Sequence, residues 1–130
     1  MSMRKHTLLV ALLFAPLFLL AKTTVIYHTS DTHGFFFPKD GQGGFAALAN
    51  VLKKGPQPYL LVDSGDFANG TVETRNSKGL KAVQIMNKVG YDATTLGNHE
   101  FDKKMVGLGE MLAMSKVPVV ASNYDFANTS

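Results

Sequence analysis

Short runs rich in β-branched and aromatic residues recur along the chain, with helical patterns between them. Thr24–His28, Tyr59–Val62, Ala93–Leu96 and Val117–Ala121 read as strands. Between the first two, apolar groups at Phe45, Leu48, Val51 and Leu52 follow a helical spacing that Gly55-Pro56 stops. A second helix runs over 79–89, with apolar groups at Ala82, Val83, Ile85, Met86 and Val89, and closes at Gly90. A third covers 101–114 despite Gly107 and Gly109, and 35–44 reads as loop. The order is βαβαβαβ, an α/β fold. Strands apolar throughout and alternating with helices predict a parallel sheet covered on both faces. Because the chain stops just past the fourth strand, it reads as the front part of a longer protein.

The N-terminus has a different character. Arg4, Lys5 and His6 precede an uncharged apolar run, Leu8–Leu20, and Ala21-Lys22 follows. A basic start, an apolar run and a small residue are the parts of a secretory signal peptide, with cleavage expected after Ala21. The run is too short for the roughly 20 residues that span a bilayer, and Pro16 interrupts it, so no stable membrane anchor is expected. Residues 22–130 are then the mature domain. The whole chain has 13 Lys+Arg against 10 Asp+Glu. Loss of Arg4 and Lys5 leaves 11 against 10, so the basic balance is no sign of a nucleic-acid polymer as partner. The chain has no cysteine, which excludes thiolate metal sites and cysteine nucleophiles and suits a periplasmic destination without disulfides.

In an open parallel sheet, ligands bind outside the carboxyl ends of the strands. The polar clusters fall there three times. The first strand runs into Asp31 and His33, the second into Asp66, and the third into Asn98, His99 and Asp102. Asp, His and Asn donors suit Mn, Zn, Fe or Co. In an extended continuation, Asp31 and His33 would point to one side. Asp66 can bridge two cations, and Asn98 adds a neutral oxygen. Two ions about 3.5–4 Å apart would activate water and stabilise a phosphoryl transition state. His99 and Asn98 are adjacent, so in an extended segment their side chains diverge. That leaves His99 facing substrate, with Asp102 three residues on to hold its ring. Singly, Asp31, Asp66 and Asn98 would read as turn residues; their conjunction at successive strand ends points to a site. Glu100 reads as a solvated charge at a helix start, Asn123 as a turn cap, and His28 lies within a strand, apart from the cluster.

The stretches "SDTHG", "LVDSGDFANG" and "GYDATTLGNHEFD" resemble the three N-terminal signatures of the calcineurin-like metallophosphoesterases. The third, with "MNKVGYDA" leading into it, is similar to the bacterial 5'-nucleotidase and UDP-sugar hydrolase branch. The resemblance implies a four-layer α/β/β/α sandwich, of which this chain is the N-terminal part. It implies that Asp31 and His33 bind one divalent ion, Asp66 bridges two, and Asn98 binds the other. His99 and Asp102 would form the catalytic dyad, and the reaction would hydrolyse phosphate esters or anhydrides of nucleotides or nucleotide sugars. Such families draw further histidines from later segments, and this chain has none after His99. The 130 residues alone are therefore expected to be inactive. The other readings are an exported non-catalytic module binding metal or nucleotide, and a 2',3'-cyclic-nucleotide phosphodiesterase.

Overall fold

The computed structural model describes residues 23–125; the expected signal peptide lies outside them. Strand β1 (Val25–Thr29) leads through a loop to helix α1 (Phe45–Lys54), then β2 (Tyr59–Asp63). A short helix α2 (Val72–Asn76) precedes α3 (Leu80–Val89), the brief strand β3 (Ala93–Thr94), a 3₁₀ turn (Asn98–Phe101) and α4 (Lys104–Met114). The three strands are parallel and lie in the order β1-β2-β3, with Thr29 beside Asp63 and Asp63 beside Thr94. The α/β class, the parallel sheet and α1 follow from the sequence pattern.

The departures have physical causes. The fourth expected strand, Val117–Ala121, is reduced to a single parallel bridge between Thr94 and Val119. Pro118 has no N–H to give, and a β3 of two residues offers little ladder to extend. Helix α2 carries no apolar periodicity. It is started instead by the Thr71 side chain, which accepts from Thr74 N, and only Thr74 of its residues is buried. The third helix begins at Lys104 rather than 101, because Asn98–Phe101 first forms the 3₁₀ turn. Asp92 stands in for ladder ahead of β3. Its carboxylate accepts from Leu61 N at 2.7 Å, and its own N–H donates to Leu61 O at 2.8 Å.

The sheet is covered on one face, not two, among the described residues. Leu61 has no exposure and joins Leu52, Val83, Met86, Leu108 and Met111 in the core. Its neighbours on the other face, Ile26 and Leu60, are 61% and 44% exposed and sit side by side in register. The reason is topological. Right-handed crossovers between strands laid down in sequential order all return on the same side of the sheet. In a four-layer sandwich two sheets meet face to face, and Ile26 beside Leu60 is an apolar surface of the kind such a contact uses.

The two faces should respond differently to truncation in this 130-residue chain. Leu61→Ala is expected to lower the unfolding free energy in urea by about 2–5 kcal/mol. Leu60→Ala, one residue away, is expected to cost under about 1 kcal/mol. Equal losses would show that both faces are covered.

Candidate functional site

The carboxyl ends of the strands are tied to one another by a buried acid that sequence reading passed over. Asp63 accepts from Thr29 Oγ1 at 2.6 Å on β1, from Thr94 Oγ1 at 3.1 Å on β3, and from Gly65 N at 2.8 Å. Thr29 has spent its proton on Asp63, so the Tyr91 hydroxyl, 2.9 Å away, is the donor to Thr29. Burial raises the Asp63 pKa, against the hydrogen bonds from Thr29, Gly65 and Thr94. Burial also pushes the Tyr91 hydroxyl up to about 12.

Beyond this knot the chain turns sharply. Asp31, His33 and Asp66 take φ of 52, 45 and 57°, a left-handed region costly to residues with side chains, at about 1–3 kcal/mol each. The segment is thus not extended, and the expected placing of Asp31 and His33 on one side of an extended chain does not hold. Backbone hydrogen bonds hold it: Asp31 N donates to Gly65 O at 3.1 Å and His33 N to Asp66 O at 3.0 Å. Gly65 has φ +90°, and a side chain there would place Cβ 2.4 Å from Gly97 N. A side chain at Gly97 would strike Asp66 Oδ1 at 2.1 Å. The close approach of these two loops needs both glycines.

The carboxylate of Glu100 locks the approach. Its oxygens accept from the N–H groups of Asp66 (2.8 Å), Phe67 (2.9 Å), Ala68 (2.9 Å) and Gly97 (2.7 Å). Glu100 has no exposure at all, which overturns its reading as a solvated helix-start charge. Successive N–H groups make an anion-binding concavity, and here the protein fills it with its own side chain.

Three of the expected residues come together. One ligand atom each from His33, Asp66 and His99 lies within 4.8 Å of the others. The His33 and His99 rings meet edge to face, with centroids 5.1 Å apart. Asp31 stands at their side, its Oδ1 3.9 Å from His33 Nε2. Asp66 Oδ1 accepts from the backbone N–H of His99 at 2.9 Å. Asn98 opens the 3₁₀ turn with its side chain exposed and without a hydrogen bond among the described residues, so the extended geometry assumed for Asn98 and His99 is also replaced. Asp102 does reach back to His99, with Oδ2 at 2.8 Å from Nδ1. That hydrogen bond raises the His99 pKa, helped by the charges of Asp102, Asp66 and Glu100, while desolvation opposes. The same bond, with one from Asn69, lowers the pKa of Asp102. The imidazolium–carboxylate form is therefore favoured. His28 lies elsewhere, exposed and 2.6 Å from Ser64 Oγ, and Asn123 sits in an exposed turn.

The donor chemistry fits a divalent cation. His33 Nδ1 lies 2.8 Å from Asn69 O, and a carbonyl can only accept, so Nδ1 carries the proton. In the neutral ring Nε2 is then a bare lone pair, facing a carboxylate oxygen that likewise offers only lone pairs. Among the described residues no lysine or arginine pairs with Asp31 or Asp66.

Residues 24–128 match the family model of the calcineurin-like phosphoesterases. The chain belongs to that family. It is 34% identical to the 5'-nucleotidase of Rattus norvegicus, over 92% of this chain and 24% of that protein. It is 35% identical to the snake venom 5'-nucleotidase of Gloydius brevicauda, over 75% of this chain and 19% of the relative. Among solved structures, the NAD nucleotidase of Haemophilus influenzae superposes with a TM-score of 0.65 at 33% identity, covering 73% of this chain and 20% of that one. The chain thus spans about a fifth to a quarter of the length of these relatives.

Glu100 offers a direct check on what holds the site. Glu100→Gln keeps the shape but brings an NH₂ against backbone donors, and should lower the unfolding free energy in urea by about 2–4 kcal/mol. A change within about 0.5 kcal/mol would mark Glu100 as an ordinary surface charge.

Proposed function

We propose that this chain is the N-terminal part of an exported, metal-dependent hydrolase of nucleotide phosphate esters or anhydrides, acting in nucleotide breakdown and salvage. Asp31, His33, Asp66 and Asn98 would hold two divalent ions of the Mn, Zn, Co or Fe type, completed by ligands from the rest of the protein. Such ions supply an activated water and positive charge for the phosphoryl oxygens. The likeness to proteins named 5'-nucleotidase and NAD nucleotidase supports a nucleotide as substrate.

The observation that carries the reading is the His99–Asp102 hydrogen bond of 2.8 Å, formed beside His33 and Asp66. Asp102 holds Nδ1 and favours the imidazolium, so Nε2–H is the group left to act. Its proton passes to the leaving oxygen as the P–O bond breaks, while the attacking water gives up its own proton to solvent. A positioned acid of this kind contributes about 10²–10⁴-fold in rate. Because His99 also lies within ligand reach of the site, metal content has to be measured beside rate.

In the complete enzyme, His99→Asn is expected to lower kcat by about 10²–10⁴-fold with metal content unchanged by elemental analysis. Asp102→Asn should give a smaller loss in the same direction. Loss of an ion in His99→Asn would make His99 a ligand, and an unchanged kcat would end its catalytic role. Protein that binds Mn²⁺ and nucleotide without turnover would instead be the non-catalytic module.

Export rests on the N-terminal pattern of Arg4-Lys5, Leu8–Leu20 and Ala21. N-terminal sequencing of protein from a periplasmic extract should begin at or near Lys22. Membrane-bound protein retaining Leu8–Leu20 would overturn it.

A further inference from the structure

One residue outside the expected set touches both His33 and the carboxylate that holds His99. Asn69 follows directly on Asp66, Phe67 and Ala68, whose N–H groups are pinned to Glu100. Its place is therefore fixed by a buried carboxylate rather than left to a loose loop. Its backbone oxygen accepts from His33 Nδ1 at 2.8 Å. Its side-chain Nδ2 donates to Asp102 Oδ2, the same oxygen that lies 2.8 Å from His99 Nδ1.

The far end of the amide is informative. Asn69 Oδ1 is buried, and no donor reaches it among the described residues. Turning the amide over would not help, because Oδ1 would then face the Asp102 carboxylate, acceptor against acceptor. The amide is thus oriented by Asp102: its donor end meets the carboxylate, and its acceptor end is engaged by none of the described residues. Without that donor, Asp102 is an exposed side chain near the start of a helix, held at that oxygen by His99 Nδ1 alone. With it, one carboxylate oxygen is held between Nδ2 of Asn69 and Nδ1 of His99.

We propose that Asn69 is a positioning residue for His99. It acts through Asp102, and its main chain separately keeps His33 in the tautomer with a bare Nε2. The proposal rests on the reading of His99 as the group that acts on the phosphate ester. Its two contacts come from different parts of the residue, which makes them separable. Asn69→Ala removes the side-chain donor and leaves the backbone oxygen, so metal binding should persist while the dyad loosens. Residues that orient a site group from behind typically contribute 10–100-fold.

In the complete enzyme, Asn69→Ala is expected to lower kcat about 10–100-fold, with KM and metal content unchanged. Asn69→Asp, the same shape without the donor, should lose at least as much and serves if the alanine variant folds poorly. In an Asp102→Ala background, Asn69→Ala should change kcat by less than about twofold, since neighbours acting through one contact do not add. Full, additive losses would overturn the proposal. A readout independent of turnover is the long-range ¹H–¹⁵N spectrum of the histidine rings in metal-free protein. Asn69→Ala should alter the His99 ring signals as Asp102→Ala does, and leave His33 protonated at Nδ1. Unchanged His99 signals would refute the positioning role whatever the activity. Altered His99 signals with unchanged kcat would uphold the positioning and sink the catalytic reading of His99 instead.

Discussion

The Glu100 carboxylate, closed on the N–H groups of Asp66, Phe67, Ala68 and Gly97, is the contact on which the site depends. Charge-assisted hydrogen bonds are worth more than neutral ones, and a buried carboxylate with fewer donors would be costly. Both facts act in the same direction. The loop after β2 and the turn after β3 must approach closely enough to share one acid. Gly65 and Gly97 make the approach sterically possible; Glu100 makes it favourable.

From that clamp the rest of the geometry follows. Asp66 is placed, and its Oδ1 receives the His99 N–H. Asn69 is placed, and its two ends address His33 and Asp102. Strain at Asp31, His33 and Asp66 is tolerated because backbone hydrogen bonds surround it. Asp63 performs a parallel task one layer deeper, where it joins Thr29, Thr94 and Gly65 and so aligns the ends of β1, β2 and β3. Two buried acids organise the loops, while Asp31 and Asp102 stay more exposed at the edge.

The one-sided sheet adds a second constraint. Sequential strand order and right-handed crossovers send α1, α3 and α4 to one face and leave Ile26 and Leu60 uncovered. The polar clusters are indifferent to this, because they project from the strand ends and not from either face. The residues at the carboxyl edge thus come together while the face of Ile26 and Leu60 stays open among the described residues.

Much of this was legible in the residues. Period-3.6 spacing located α1 at Phe45–Lys54, and β-branched runs located β1 and β2 to within a residue or so. The three clusters at strand ends, and the i,i+3 relation of His99 to Asp102, are local facts and survive folding. What tertiary structure alone decided was the work of Asp63, Asn69 and Glu100. A buried acid and a solvated one look alike in a sequence, and Glu100 finds three of its donors 32 to 34 residues away. The backbone turns at Asp31, His33 and Asp66 were hidden for the same reason, since the hydrogen bonds that hold them, from Asp31 N to Gly65 O and from His33 N to Asp66 O, join loops distant in sequence. Val117–Ala121 has the composition of a strand but became a bridge, because strand formation needs a partner long enough to pair with and β3 ends after two residues. Local spacing determined which residues reach the carboxyl edge; only long-range hydrogen bonding determined which of them are buried to carry the structure and which stay exposed at that edge.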